Sequence, residues 1–429
     1  MSSTRPRGAR ASGSSNGRTV LVLGNYRPAL AAAHALYTMG YRVVLGAEPG
    51  STGAERSRFV DHVWPLPDAR LAPAEFRAAL AARLQSDRTI AVIVPMTERL
   101  LNLVDASRDV VPPEVRVAAP QSSVLRVCHD KLAWLRFCRA AGIATPPFEA
   151  ASSLPGLRRT VEAIGCPVVI RPVEAGTRIG KRKAVLLDRL DDLGAAFPTW
   201  PAGVGELLVQ KRFQGERYNL YFGALDGTIV RQLHSYSLRT DRWDGSGQTI
   251  EGAVVPPIGL HGAMLAKAAA GLGYTGIGCA QFLYDRATGE SCFLEINPRF
   301  GASYVFVERA GFELTRLALE LAEPNPSPRP LQAPIRPVRF VWTYGDLSGL
   351  FFSLRSRDVT IGQAIRWAAA SVRAAVTADV HVTWSWADPL PTIGFYWDQL
   401  LGVFGPRRAA GKADGVDFPA STRSARRPT

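Results

Sequence analysis

The sequence predicts an N-terminal α/β domain built on a parallel sheet, then α+β modules, then a small aromatic-rich appendage. Three observations carry this. Short apolar runs alternate with Ala/Leu-rich helical stretches over residues 19–120. From residue 121 strands follow one another and helices stand apart. The chain has 429 residues, 47% hydrophobic and 21% charged, ordinary usage for two or three domains with a sizeable core.

Residues 19–23 (TVLVL) read as a buried strand, 28–39 as a helix opened by Pro28, and 42–45 as a second strand. A further strand, 90–94, stops at Pro95, and 97–104 reads as helix. The first strand runs into Gly24-Asn25-Tyr26-Arg27-Pro28, a loop at the sheet's carboxyl edge. It lacks the three-glycine dinucleotide fingerprint, which argues against a Rossmann oxidoreductase. Asp130 is the expected N-cap of a helix running through Ala141 and stopped by Gly142. Strands at 167–171 and 184–187 flank a loop rich in glycine and basic residues, 174–183. Strands follow near 207–210, 217–225 and 228–238, then a helix near 260–271, strands at 276–284 and 292–297, and a helix from about 304 to 322. The Pro-rich 323–337 reads as a linker. Within the appendage, 338–405, an Ala-rich helix covers 361–377. Trp384, Trp386, Phe395, Tyr396 and Trp397 read as a packing surface, with peripheral membrane contact the less favoured alternative. The expected divisions are a basic tail 1–18, an α/β domain 19–120, a central unit 121–325, the appendage, and a tail 406–429.

The net charge of +14 is uneven. Residues 1–18 hold four arginines and no acid, and residues 406–429 hold six basic residues against two acidic, so the tails contribute +8. Such tails attract any polyanion, and no nucleic-acid motif lies between them, so no specific nucleic-acid partner is expected. Cys128, Cys138, Cys166, Cys279 and Cys292 form an odd set with no C-x-x-C pair and read as buried reduced thiols. No apolar run reaches the ~18–20 residues of a membrane span, and 20–23 is too short for a signal-peptide core, so a cytoplasmic location is expected. Oligomeric state is not legible in the sequence.

The most informative segment is 278–303, GCAQFLYDRATGESCFLEINPRFGAS. Two strands flank a polar turn, 285–291, centred on Thr288. Paired as a hairpin about that centre, Gln281 lies opposite Glu295, and Asn297, two residues along, shares the face. Three oxygen-bearing groups on one face beside Arg299 suit Mg2+, which keeps waters and is completed by substrate phosphates.

FLEINPRFG, with a glutamine fourteen residues before the glutamate, resembles the metal-binding signature of ATP-grasp enzymes. The likeness is to the carbamoyl-phosphate synthase and carboxylate–amine ligase branch, and it can be followed over about residues 19–322. It implies a pre-ATP-grasp-like first domain and a two-lobed ATP-grasp fold. It also implies ATP and Mg2+ (or Mn2+) as cofactors, with Gln281, Glu295 and Asn297 on the metal. By the same resemblance Arg299 steadies the reacting phosphoryl or acyl-phosphate group. Lys131, in the DK that opens a helix, and Arg171, in VVIRP, contact ATP phosphates, with Arg171 also serving catalysis. Physically, a triphosphate needs fixed cations around it. The loop AGTRIGKRKA takes the place of the phosphate flap through Gly176 and Lys181, though without an uninterrupted glycine run. LLVQKRFQG resembles the hinge strand that reads adenine, with Gln210, Lys211 and Phe213 as candidates. The ribose contact is expected from Glu216, one residue early, while Arg217 takes the family's usual acidic position. His234 reads as a packed histidine; Arg239 and GSGQTIEG (245–252) fall where substrate-facing strands and loops should be. The implied activity joins a small-molecule carboxylate to an amine through an acyl phosphate. The alternatives are a bicarbonate-activating enzyme of the carbamoyl-phosphate synthase or carboxylase type, or an ATP-binding regulatory protein without turnover.

Overall fold

The computed structural model describes residues 17–50, 53–67, 73–174, 177–180, 182–245 and 247–404, with side chains to residue 399. Gly176, Lys181 and most of both tails lie outside the described residues.

The first domain is a parallel five-stranded sheet: β1 (Thr19–Leu23), β2 (Arg42–Ala47), β3 (His62–Pro65), β4 (Ile90–Pro95) and β5 (Arg116–Val117), in the order β3-β2-β1-β4-β5. β1 is buried along its whole length, which is why TVLVL is apolar without alternation. Val20 and Val22 face the helix Arg27–Thr38, and Leu21 and Leu23 face the helices Pro73–Ser86 and Glu98–Asp105. The strand order reverses at β1, so the loop 24–26 and Arg27 sit at a topological switch point.

The second sheet is antiparallel, with order β6-β9-β7-β8: β6 (Phe148–Ala151), β7 (Val168–Pro172), β8 (Val185–Leu187) and β9 (Leu207–Lys211). The helix Lys131–Ala140 leads into it. The Asp130 carboxylate accepts from the backbone N–H of Leu132 (2.8 Å) and Ala133 (2.9 Å), and Gly142 ends the helix at φ +59°. Within the basic loop Ile179 bridges Arg182, and Gly180 takes φ +59°.

The third sheet holds β10 (Glu216–Leu225), β11 (Thr228–Thr240), β12 (Thr249–Val254), β13 (Gly276–Tyr284), β14 (Ser291–Asn297), β15 (Arg339–Val341) and β16 (Val380–His381). Its order is β14-β13-β10-β11-β12-β15-β16. The even residues of β10 (Tyr218, Leu220, Phe222) pack on the helix Gly259–Leu272 and the Trp134 cluster, while Tyr221, on the other face, packs edge-on against Phe306.

Three expectations change. The segment expected as one helix over 304–322 is two, Val305–Arg309 and Leu314–Leu321, because Gly311 (φ +87°) and Glu313 (φ +55°) take left-handed conformations that a continuous helix excludes. The appendage adds two strands to the third sheet, β15 antiparallel to β12 and β16 parallel to β15. And Arg239 is committed to structure: it pairs with Glu251 and, through two nitrogens, with Asp346 (3.1 and 2.6 Å). The helix Ile361–Thr377 carries a Thr360/Gln363 capping box. No helix among the described residues is long and apolar enough to cross a membrane.

Candidate active site

β13 and β14 form the expected hairpin, and Gln281 pairs directly with Glu295. Cys279 pairs with Asn297, which sets Asn297 on the same face as Glu295. A bulge then shifts the register, so that Phe282 pairs with Phe293 and the symmetry about Thr288 fails on the turn side. Across β10 the row extends to Asn219, the partner of Gln281. Asn297 donates through Nδ2 to Glu295 Oε1 (2.9 Å), and Arg299 Nη2 lies 3.4 Å from Asn297 Oδ1. The neighbouring amide thus fixes the Glu295 carboxylate.

Three cations feel the charge of that carboxylate. Burial pulls Lys131 below its ordinary range, the Arg171 charge adds to this, and Glu295, Glu98 and Asp130 oppose it. Burial likewise lowers Arg171, with Glu295 the main opposing charge. It lowers Arg217 too, against Glu295 and Asp241. Lys131, Arg171 and Arg217 therefore all feel Glu295, with no direct ion pair to it among the described residues, and Arg299 reaches Asn297 Oδ1 beside it. Arg171, Arg217 and Arg299 each bury an Nε–H, and Gln210 its Nε2, with no partner among the described residues. Buried donors are normally satisfied, so this set suits a polyanion with many acceptor oxygens.

The other expected positions divide. Gln210 holds Arg171 Nη2 through Oε1 (3.2 Å), which orients the guanidinium. The Lys211 ammonium is spent on the carbonyls of Gly165 (2.9 Å) and Cys166 (2.8 Å). Phe213 lies against Gly215, whose added Cβ would come within 2.9 Å of its ring. Glu216 turns away from the Gln281 row: it pairs with Arg286 on the opposite face of β10, beside Tyr218 and Tyr236. Arg217 and Asn219 face the row instead. Sequence reasoning noted Arg217 only as a departure; Asn219 it missed. The usable signal was the strand period of two, which gives 217 and 219 one face.

Burial pushes Cys128, Cys138, Cys279 and Cys292 up to about 12, so none is a nucleophile. His234 is lowered to about 4 by burial and accepts the Ile258 N–H at Nδ1 (3.2 Å), a packed neutral ring as expected.

No group of three or more His, Cys, Asp or Glu side chains capable of holding a metal occurs among the described residues. A metal here would rest on one carboxylate and the amide oxygens of Gln281 and Asn297. That hard-oxygen set suits Mg2+ and leaves most of the coordination sphere to water and phosphate.

A parallel-sheet domain followed by an antiparallel sheet and a second, mostly antiparallel one that carries the Gln281–Glu295 hairpin matches the ATP-grasp fold. Residues 261–328 match the family model for the carbamoyl-phosphate synthase L chain, ATP binding domain. The chain is similar to the mitochondrial methylcrotonoyl-CoA carboxylase subunit alpha of Oryza sativa subsp. japonica, 27% identical over 221 residues, 47% of this chain and 29% of that protein. It therefore spans less than a third of that relative's length. Biotin carboxylase from Campylobacter jejuni, solved as a β-γ-ATP complex, has a similar structure (TM-score 0.59, 19% identity, covering 75% of this chain and 74% of that one). So does the biotin carboxylase domain of Hydrogenobacter thermophilus 2-oxoglutarate carboxylase, solved with MgADP, ADP and bicarbonate (TM-score 0.59, 18% identity, 75% and 73%). The chain thus shares the ATP-grasp fold of these proteins, and its residues 261–328 carry the sequence likeness to the carbamoyl-phosphate synthase ATP-binding domain.

Proposed function

We propose that this chain uses MgATP to phosphorylate a small carboxylate, bicarbonate foremost, and passes the activated acyl group to a nucleophilic acceptor. The observation that carries the reading is a carboxylate fixed by Asn297, Glu295, whose charge Lys131, Arg171 and Arg217 feel, together with three guanidinium Nε–H groups, of Arg171, Arg217 and Arg299, buried without partners among the described residues. Gln281, Glu295 and Asn297 would hold Mg2+, which when bound offsets charge between the β- and γ-phosphates. Lys131 and Arg171 bind phosphate oxygens, and Gln210 keeps Arg171 aimed. Arg299 holds the carboxylate substrate beside the γ-phosphate. A substrate oxygen attacks the γ-phosphorus as the bond to ADP breaks, and the acceptor then attacks the acyl carbon as phosphate leaves. Catalysis by such a site is positioning and charge neutralisation, so no titrating histidine is required.

Bicarbonate is favoured because the similar proteins are named as carboxylases and one was solved with MgADP and bicarbonate. Amide formation from another carboxylate and an amine uses the same first step. The test is ADP release from MgATP with bicarbonate alone, with pooled amino acids and amines, and with both. Bicarbonate-dependent ADP release that falls at least 100-fold in Glu295→Gln is expected. Release that requires an amino acid and ignores bicarbonate selects the amide-forming reaction. Failure to bind MgATP sinks both.

A further inference from the structure

Arg27 opens the helix Arg27–Thr38 at the carboxyl end of β1, where the strand order reverses between β2 and β4. Ligands of open parallel sheets gather at that switch point. The residue is only 7% exposed. Its guanidinium sits over the Trp342 ring, 3.5 Å from the centroid, and Nη2 donates to Gln248 Oε1 (2.6 Å) and to the Tyr26 hydroxyl. Nε and Nη1 are buried and reach no acceptor among the described residues. A buried cation is ordinarily paired, because leaving it unpaired is costly. Asp241, a carboxylate that feels the charge of Arg27, already accepts the Gln248 backbone N–H (2.8 Å). The helix start has no side-chain cap and no acid in its first turn, so nothing local competes for an anion.

Arg27 is linked to the triphosphate region through one turn. Tyr221, two residues beyond Asn219 on the same face of β10, feels the charges of both Arg27 and Arg299. The turn that supplies Gln248 also supplies the Gly247 carbonyl, which accepts from Arg217 Nη1 (2.7 Å). One turn thus orients a cation of the triphosphate region and a cation at the switch point.

We propose that Arg27 anchors the second-substrate subsite: the acceptor carries an oxyanion, a carboxylate or a phosphate, that pairs with Nε and Nη1. This rests on the reading of the cleft as one that activates a carboxylate. Trp342 and Gln248 hold the guanidinium in place, so little side-chain freedom is lost when the anion arrives.

The test titrates acetate and inorganic phosphate, separately, into protein saturated with Mg2+ and a non-hydrolysable ATP analogue, and into nucleotide-free protein. Binding is followed by calorimetry in the wild type, Arg27→Gln and Gln248→Glu. The wild type should bind an anion whose affinity falls at least tenfold in Arg27→Gln, while analogue affinity changes less than twofold. Gln248→Glu sets the protein's own carboxylate against Nη2. It should raise the melting temperature and remove anion binding, a combination that misfolding does not give. Tighter binding of acetate marks a carboxylate-bearing acceptor, and tighter binding of phosphate a phosphorylated one. Unchanged anion affinity in both variants, or no anion binding by the wild type in either form, overturns the subsite. Absence of analogue binding overturns the reading of the cleft instead, and the nucleotide-free titration still decides the subsite.

Discussion

Glu295 is half-buried, receives the Asn297 amide at 2.9 Å, and carries the charge that Lys131, Arg171 and Arg217 feel. Replacing its charge while keeping its shape separates the two roles. Glu295→Gln should weaken binding of a Mg2+–ATP analogue at least tenfold and change metal-free binding far less, read by calorimetry with and without EDTA. Equal losses in both conditions would assign Glu295 to scaffolding. The neighbouring pair on β10 gives a sharper contrast. Arg217→Met should cost about 1–3 kcal/mol of analogue affinity, as loss of a charged hydrogen bond does, whereas Glu216→Gln should leave it within twofold. The reverse ranking would restore Glu216 to the nucleotide site. Legibility at this scale follows range. Gln281, Glu295 and Asn297 belong to one hairpin, where the period of two places side chains directly. Arg217 and Asn219 join them only through the pairing of β10 with β13, a long-range contact that no local pattern announces. Arg27 and Trp342 are farther apart still, and only the folded chain stacks them.

Elements were legible where their ends carry chemistry. The helix Lys131–Ala140 was readable from Asp130 and Gly142 because a carboxylate cap and a left-handed glycine are local devices. Asp130→Ala should cost about 1 kcal/mol of stability in urea denaturation, the usual worth of such a cap, and displace Lys131 with it. The break within 304–322 was less legible, since only Gly311 marks it and Glu313 adopts φ +55° without a sequence signal. The helix Gly259–Leu272 buries a second consequence. His261 is fully buried, stacks on Phe282 (4.6 Å between centroids), and neither ring nitrogen finds a partner among the described residues. Burial lowers it, like His234, to about 4 from 6.5, so both rings are neutral in the folded state near neutrality. The unfolded chain takes up these protons first. The contribution to stability is complete above pH 6.5 and is lost as pH falls through the interval down to about 4. His261→Phe should flatten the decline of melting temperature across that interval without lowering it at pH 8. An unchanged slope would mean that the decline comes from other groups.

At the scale of the molecule, the appendage and the central unit are one structure. β15 pairs with β12 only because Gly252 leaves room for the Phe340 ring, which an added Cβ would approach to 2.7 Å. Behind that pairing lies a charge network. Arg239 on β11 joins Glu251 on β12 to Asp346 in the helix Thr343–Arg355, and Asp346 also accepts from Trp367 Nε1 (2.6 Å) in the next helix. Arg339 (3.4 Å) and Arg373 (3.6 Å) complete the surroundings of Glu251. Asp346 and Glu251 are 1% and 2% exposed, so removing one partner leaves charge buried without compensation. Breaking a buried pair in that way costs about 3–5 kcal/mol, much more than a surface ion pair is worth. Asp346→Ala should therefore lower stability in urea by that order and release the tryptophan signal of Trp367 in the same transition. Arg239→Met should do similar damage. The double variant should fall short of the sum by about 1–3 kcal/mol, because each change removes what the other has already lost. The consequence reaches the site. Trp342, over which Arg27 sits, lies between β15 and the helix that bears Asp346, so loosening the network should also weaken anion binding at Arg27. A loss of less than 1 kcal/mol in Asp346→Ala, with Trp367 unaffected, would show instead that β15 alone holds the appendage to the sheet.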